Sequence, residues 1–312
     1  MFKDLQARIR KLCERQGIKV IGPPEPVATS ETSDFSDHDV GAHWVEGIFS
    51  RPPTARTRLK QIPPSKCYGP WCDFNPNDVN VLFRRSFERG LIVLSAFIDP
   101  TNRSSFLVIR SLETGAKRFS VRGIHDLCIE RDGSSLVIKR SSPANRSGKL
   151  WAVLSFRSWE DLVLFHCTFV SLKFESELTR KVDRSDCTIS DEKRHYQATI
   201  IDDGFQHSLQ VLQDNNTRGL RLNANVWDGP LRYCPVWTAF ITQQVLCPYV
   251  FCAVYREANM RQNKHHAFEM EFLTEEARES FLDIFEMSPV HAAGSKPTAT
   301  EPVSILKNAK AS

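Results

Sequence analysis

The sequence predicts a mainly β chain of the α+β class. Two units are expected, each an antiparallel strand sandwich or barrel capped by one C-terminal helix. Three observations carry this. Apolar runs of strand length recur through the middle of the chain, broken by turn signals such as Asp99-Pro100, Thr114-Gly115 and Asp132-Gly133. At two places the apolar period then changes from that of a strand to that of a helix. Those two places share a frame: "FRSWEDLVLFHCTF" from Phe156 to Phe169 aligns with "FLTEEARESFLDIF" from Phe272 to Phe285 as F-x-[ST]-x-E-x4-F-x3-F.

Residues 1–16 read as a short amphipathic helix, with Phe2, Leu5, Ile9 and Leu12 at heptad spacing among basic residues. Residues 17–74 read as a disordered linker, acidic and then basic. From Pro23 to Glu46 there are six acids and no Lys or Arg; from Gly47 to Cys72 there are five basic residues, no acids and two Pro-Pro pairs. Blocks of this composition bury too little apolar surface to offset chain entropy. Within the acidic block Ser36, followed by Asp37 and Asp39, is a candidate phosphosite for an acid-directed kinase.

The first unit is expected over 75–173. Its strands are 90–99, 105–112, 117–124, 125–131, 134–140 and 149–156. Strands this short and this close argue for antiparallel pairing rather than β-α-β units. Ser158 then caps a helix with Glu160 in its first turn, where negative charge suits the helix dipole. Trp159, Phe165 and Phe169 lie on the apolar surface of that helix. A charged linker at 174–194 leads to a second unit over 195–288. Strand-like stretches there end in a helix that starts at Thr274 and carries Phe281 and Phe285. Each aromatic pair lies one helical turn apart, so each helix can seal the open end of its own barrel. Residues 289–312 read as a second disordered tail.

Composition and charge narrow the function classes. The chain is 41% hydrophobic and 25% charged, ordinary for a globular protein. Its apolar runs, such as 91–98, fall far short of the ~20 residues that span a bilayer. The N-terminus lacks the apolar core of a secretory signal, so a cytoplasmic protein is expected, with peripheral membrane association as a variant. The nine cysteines then read as reduced thiols. Between Asn75 and Lys173 there are 15 Lys/Arg against 9 Asp/Glu, a balance of +6; between His195 and Glu286 there are 7 against 12, a balance of −5. Such asymmetry speaks to partners.

The sequence lacks the common nucleotide, metalloprotease and hydrolase signatures G-x-x-x-x-G-K-[ST], G-x-G-x-x-G, H-E-x-x-H and G-x-S-x-G. Asp202-Asp203-Gly204 reads as a turn between strands. Cys67 with Cys72, Cys247 with Cys252, and His265-His266 have spacings that admit zinc, but the cysteines read more simply as small buried hydrophobes. No catalytic residue, cofactor or metal is therefore expected, and the chain is read as non-enzymatic.

Strands capped by one aromatic-bearing helix resemble the pleckstrin-homology (PH-like) fold. In wording, "RGIHDLCIERDGSSLVIKR…LWAVLSFRSWEDLVLFHCTFVSLK" and "VWTAFITQQV…YVFCAVY" resemble a group of fungal proteins with two tandem PH-like domains, over about 75–286. The resemblance implies a binding or scaffolding module rather than an enzyme, with protein partners foremost. Its alternative is a peripheral protein that binds phosphoinositides or an anionic membrane through the basic first domain. PH domains that hold inositol phosphates place the headgroup among Lys and Arg of the first two strands and their loop. Arg84, Arg85, Arg89, Arg103 and Arg110 are the candidates for that role here, although "NVLFRRSFERGLIVLSAFIDPTNRSSFLVIR" lacks the early Lys and the basic-x-Arg pair of such binders. Nucleic acid is disfavoured, because the basic excess is modest and no nucleic-acid-binding motif is present. The Pro-rich basic stretch "SRPPTARTRLKQIPPSK" has the composition of a ligand for an SH3-type groove or an anionic surface, or of a plain linker. The oligomeric state is left open.

Overall fold

The structure is a computed structural model that describes residues 43–50, 53, 56–75, 80–99, 104–112, 115–141, 148–202, 205–241, 248–251 and 271–286. The expected helix at 1–16, the tail at 289–312 and residues Ser36, Arg103, Cys247, Cys252, His265 and His266 lie outside the described residues. The chain divides into two compact bodies. The larger comprises Ala42–Arg194 and Val211–Val254; the smaller comprises Met1–Gly41, His195–Gln210 and Tyr255–Ser312.

The larger body begins with helix α1 (Trp44–Ser50) and strand β1 (Lys66–Cys67). Strands β2 (Asn80–Phe87), β3 (Ile92–Ile98), β4 (Ser105–Ser111) and β5 (Arg118–Gly123) follow and pair in that order, all antiparallel. A second sheet has the order β1-β8-β7-β6, with β6 at Leu127–Asp132, β7 at Ser135–Arg140 and β8 at Leu150–Ser155. Leu94 and Ile109 of the first sheet and Leu136, Ile138 and Leu154 of the second are each 0% exposed in one common core cluster. Helix α2 (Trp159–Glu175) follows β8. Ser158 caps it as expected, its hydroxyl accepting from the Asp161 N–H at 3.3 Å.

Helix α2 buries 14 of its 17 residues, so it has no free face. Phe165 packs on the Phe83 and Phe156 rings of its own barrel. The opposite side carries His166, Cys167 and Ser171 and meets strands β11 (Leu220–Val226) and β12 (Pro235–Ile241), which pair with each other and, through β12, with β13 (Pro248–Val250). Trp159 stands edge-on to Phe240 with ring centroids 5.4 Å apart. A Cβ at Gly219 would come within 2.7 Å of the Trp159 ring, so only glycine admits this approach.

In the smaller body, strand β9 (Glu192–Asp202, in this body from His195) pairs with the short β14 (Glu271–Phe272), Ile200 opposite Phe272. The beginning of β10 (Phe205–Asp214) lies in the same body, and Gln197 donates to the Ser208 hydroxyl at 3.1 Å. Helix α3 (Glu275–Glu286) follows β14. The two occurrences of the sequence frame have the same local geometry. Phe156 and Phe165 have ring centroids 5.6 Å apart at 49°, and their counterparts Phe272 and Phe281 are 5.2 Å apart at 45°. Thr274 accepts from the Ala277 N–H at 3.2 Å, three residues on, just as Ser158 does from Asp161. Trp159, Phe165, Phe169 and Phe281 are buried as expected, whereas the Phe285 side chain lies outside the described part.

One expectation is corrected. Residues 17–74 were expected to be disordered, yet from His43 onward the described part of this stretch is ordered. Val45, Ile48, Leu59 and Cys67 are all in the main core cluster. Between residues 56 and 72 the chain forms a strap. Leu59 N–H donates to Arg157 O, Trp159 N–H donates to Thr57 O, β1 pairs with β8, and Cys72 N–H donates to Phe119 O. The strap thus runs along the edge of one sheet and ends on the edge of the other. Glu160 fixes its start: the carboxylate accepts from Thr57 N–H at 2.8 Å and from the Thr57 hydroxyl at 2.6 Å. Composition misled because a few buried side chains, Val45 and Ile48 on α1, Leu59 and Cys67 along the sheet edge, suffice to anchor a polar segment. The residues at 174–194 are likewise more than a tether, since Asp186 is buried and accepts from both Ile129 N–H and Lys173 Nζ.

Candidate functional site

Of the five arginines expected to form an anion site, Arg84, Arg85, Arg89 and Arg110 are described, and Arg84 and Arg110 share one face of the first sheet. Strand register sets Arg84 opposite Ser95, which lies opposite Val108, and sets Arg110 between Val93 and Phe119. Alternation therefore puts Arg84 and Arg110 on the outer face of the sheet. Arg85, opposite Leu94, points to the inner face. There it pairs with Asp161 of α2 at 2.9 Å and lies 5.0 Å over the Phe49 ring of α1. It is thus engaged in holding α1, β2 and α2 together. Arg89 is exposed in the tight turn between β2 and β3, where Glu88, Arg89 and Gly90 all have positive φ. Glu88 accepts from Ser65 N–H, which ties that turn to the strap. Arg84 is exposed, its Nε 3.4 Å from the Ser95 hydroxyl, and Arg110 has a buried Nε with no hydrogen-bond partner among the described residues.

The same outer face carries an aromatic cluster. Phe97 stacks on Phe106 with centroids 5.4 Å apart, and Phe74 approaches Phe97, Phe106 and Phe119. Where the strap meets β5 there is a cavity of about 520 Å³ lined by Cys72, Asp73, Phe74, Asn75, Lys117 and Phe119. Beside it Tyr68 and Trp71 are 48% and 37% exposed, unusual for such large rings. Sequence reasoning missed this patch because the segment was read as linker. A Tyr and a Trp flanking Gly69-Pro70 was the available signal.

Buried polar groups form a second constellation where α2 meets β11. Arg131 pairs with Asp214 at 2.6 Å, both side chains 0% exposed. Arg221 forks onto Glu192 at 2.8 and 2.7 Å and also donates to Asn223 and Thr238. Lys173 pairs with Asp186 at 2.7 Å. His166 lies buried nearby, and burial, reinforced by the charges of Arg221 and Arg131, lowers its pKa to about 3. These charges are paired in the interior, which suits fixed packing rather than proton transfer to a substrate.

Little here suits nucleophilic chemistry. Burial pushes the Cys167 thiol up to about 11 and Cys187 to about 12, and raises Cys128 and Cys234 as well, so these sulfurs stay protonated. Cys67 is buried on β1 and Cys72 is exposed at the end of the strap. Among the described residues no three His, Cys, Asp or Glu gather in a way that could hold a metal, and no helix is long and apolar enough to cross a membrane.

Comparison with known families matches two models in succession. Residues 73–192 match the N-terminal, and residues 193–248 the C-terminal, of two PH domains found in tandem in fungal proteins. Comparison with curated proteins and with solved structures finds no match. The matched segments adjoin at 192/193, where β9 begins. The two helix-capped units, the repeated frame and these adjoining matches lead to one conclusion: the chain belongs to the family of fungal proteins that carry PH domains in tandem.

Proposed function

We propose that the chain is a non-enzymatic binding and scaffolding protein of the cytoplasm whose partners are proteins. PH domains are typically non-catalytic binding modules, and the tandem arrangement suggests such a role. The observation that carries the reading is the enclosure of α2. With its far side covered by β11 and β12, the first barrel and these strands form one packed body. A scaffold needs this, because a rigid display surface loses little entropy when a partner docks. The test is capture by the full-length chain followed by titration with the purified candidate. Saturable one-site binding of a protein at micromolar affinity or better supports the reading. Turnover of a small substrate, with no saturable protein partner, overturns it.

A second reading has its own observation. Arg84 and Arg110 share the outer face of the first sheet, in a domain with an excess of positive charge. We propose Arg84, Arg89, Arg103 and Arg110 as an anion-binding set through which the protein associates peripherally with anionic lipid. Arg85 is left out because Asp161 already holds it.

A further inference from the structure

We infer that the turn carrying Tyr68 and Trp71, with Lys66, Lys117 and Arg118, is a docking surface for an anionic bilayer. This rests on the second reading above and extends the contact from the outer face to its edge beyond Phe119, where the strap meets β5.

Four observations converge there. Tyr68 and Trp71 flank the Gly69-Pro70 turn and are exposed at 48% and 37%. Lys66 sits 5.5 Å over the Tyr68 ring, so a cation and an amphipathic ring share one place. The bond from Cys72 N–H to Phe119 O, at 2.8 Å, fixes Trp71-Cys72 beside the start of β5. Lys117 and Arg118, both exposed, arrive at that same point, and Lys117 lines the cavity with Phe119.

The chemistry of the patch selects its occupant. Trp and Tyr are the side chains that rest at headgroup depth, ring in the acyl boundary and polar tip in water. Lys66, Lys117 and Arg118 supply three positive charges against one exposed acid, Asp73. Each basic residue close to an anionic leaflet adds attraction that acts within a Debye length. Neither component suffices alone: two rings bury too little area for stable anchoring, and three charges bind weakly at cellular salt. Together they supply the two signals that reversible membrane association needs. The backbone that carries Tyr68 is anchored, since Tyr68 N–H donates to Trp151 O and Trp151 Nε1 donates in turn to Ser120 in the core. Little backbone ordering is therefore needed on docking.

The experiment uses the full-length chain and vesicles of neutral lipid with or without a fraction of phosphatidylserine, at fixed ionic strength. Co-sedimentation is measured for the native chain, Trp71→Ala, Tyr68→Ala, Lys117→Gln with Arg118→Gln, and Arg84→Gln with Arg110→Gln. All five changed residues other than Arg110 are exposed, and thermal unfolding checks each variant. The expected result is binding that requires phosphatidylserine. It should fall about tenfold for Trp71→Ala and about fivefold per basic residue removed at Lys117 and Arg118. A second readout is independent of folding losses. Acyl-chain quenchers should dim the native fluorescence more than that of Trp71→Phe, because only Trp71 reaches the acyl boundary. If the native chain binds anionic vesicles but Tyr68 and Trp71 variants bind equally well while the Arg84/Arg110 variant does not, this inference is wrong and the second reading stands. If the native chain ignores anionic vesicles, both fall. Binding of a soluble inositol phosphate that is lost in the Arg84/Arg110 variant, without vesicle binding, also overturns the bilayer as the occupant.

Discussion

Glu160 and His166 lie six residues apart on one helix, and burial shifts the pKa of each. Glu160 is 2% exposed, and burial raises its pKa while the hydrogen bonds from Thr57 oppose that rise. The sequence placed it in the first turn as a partner of the helix dipole; the structure makes it the fork that grips the strap. His166 is neutral in the fold, and its pKa of about 3 lies far below the ordinary 6.5. The unfolded chain therefore binds a proton below pH 6.5 that the folded chain refuses until about pH 3. Stability contributed by the neutral ring is full above pH 6.5 and lost as the pH falls through that window. Between pH 7 and 5 this amounts to about 2 kcal/mol. His166→Phe should remove that part of the acid sensitivity. Denaturant titrations of both proteins at the two pH values check it: a gap between native and variant that does not change with pH would mean the ring is protonated or solvated in the fold.

Among the elements, the legible ones were those whose period and caps agree. Strands β3 to β8, the helix after Ser158 and the helix after Thr274 declared themselves by alternation, by turn residues and by a hydroxyl three residues ahead of its N–H partner, whereas β2 (Asn80–Phe87), outside the expected strands, did not. The strap did not, because its structure comes from pairing with β8 and from Glu160, neither of which leaves a local period. The outer-face placement of Arg84 and Arg110 could be read only once register was known, since a shift by one residue exchanges Arg84 for Arg85. The strap has a measurable consequence. A chain that starts at Asn75, the expected edge of the first unit, lacks Val45, Ile48, Leu59 and Cys67, which are 0 to 4% exposed in the core. It also uncovers the edge of β8 and leaves the Glu160 carboxylate buried without Thr57. Each missing apolar side chain is worth about 1.5–3 kcal/mol of burial, so the loss approaches the whole stability of an ordinary domain. A chain starting at His43 is expected to unfold in one transition at a clearly higher temperature than one starting at Asn75. Equal melting temperatures in calorimetry would show that the strap rests on the barrel without stabilising it.

On the scale of the whole molecule, the opposite charge of the two halves invites a picture of two domains held by surface attraction, which salt would loosen. The larger body contradicts that picture where the first barrel and α2 meet β11. The charged groups there are paired in the interior: Arg131 with Asp214, Arg221 with Glu192 and Lys173 with Asp186, none more than 4% exposed. Buried pairs are screened little, so thermal unfolding should be nearly unchanged between about 0.05 and about 0.5 M salt. Removing one partner is another matter. Arg131→Met leaves the Asp214 carboxyl group buried, still accepting from the Thr217 N–H and hydroxyl but without its counter-charge. The expected cost is about 3–5 kcal/mol. Adding Asp214→Asn to Arg131→Met removes the stranded charge while keeping an acceptor for Thr217. It should restore a large part of that loss, although neither change restores the ion pair. Denaturant unfolding of the native chain, the single variant and the double variant at two salt concentrations decides the matter. A native chain that loses stability steeply with salt, or a double variant no better than the single one, would mean that these charges act at a wet surface and that α2 is not enclosed as described.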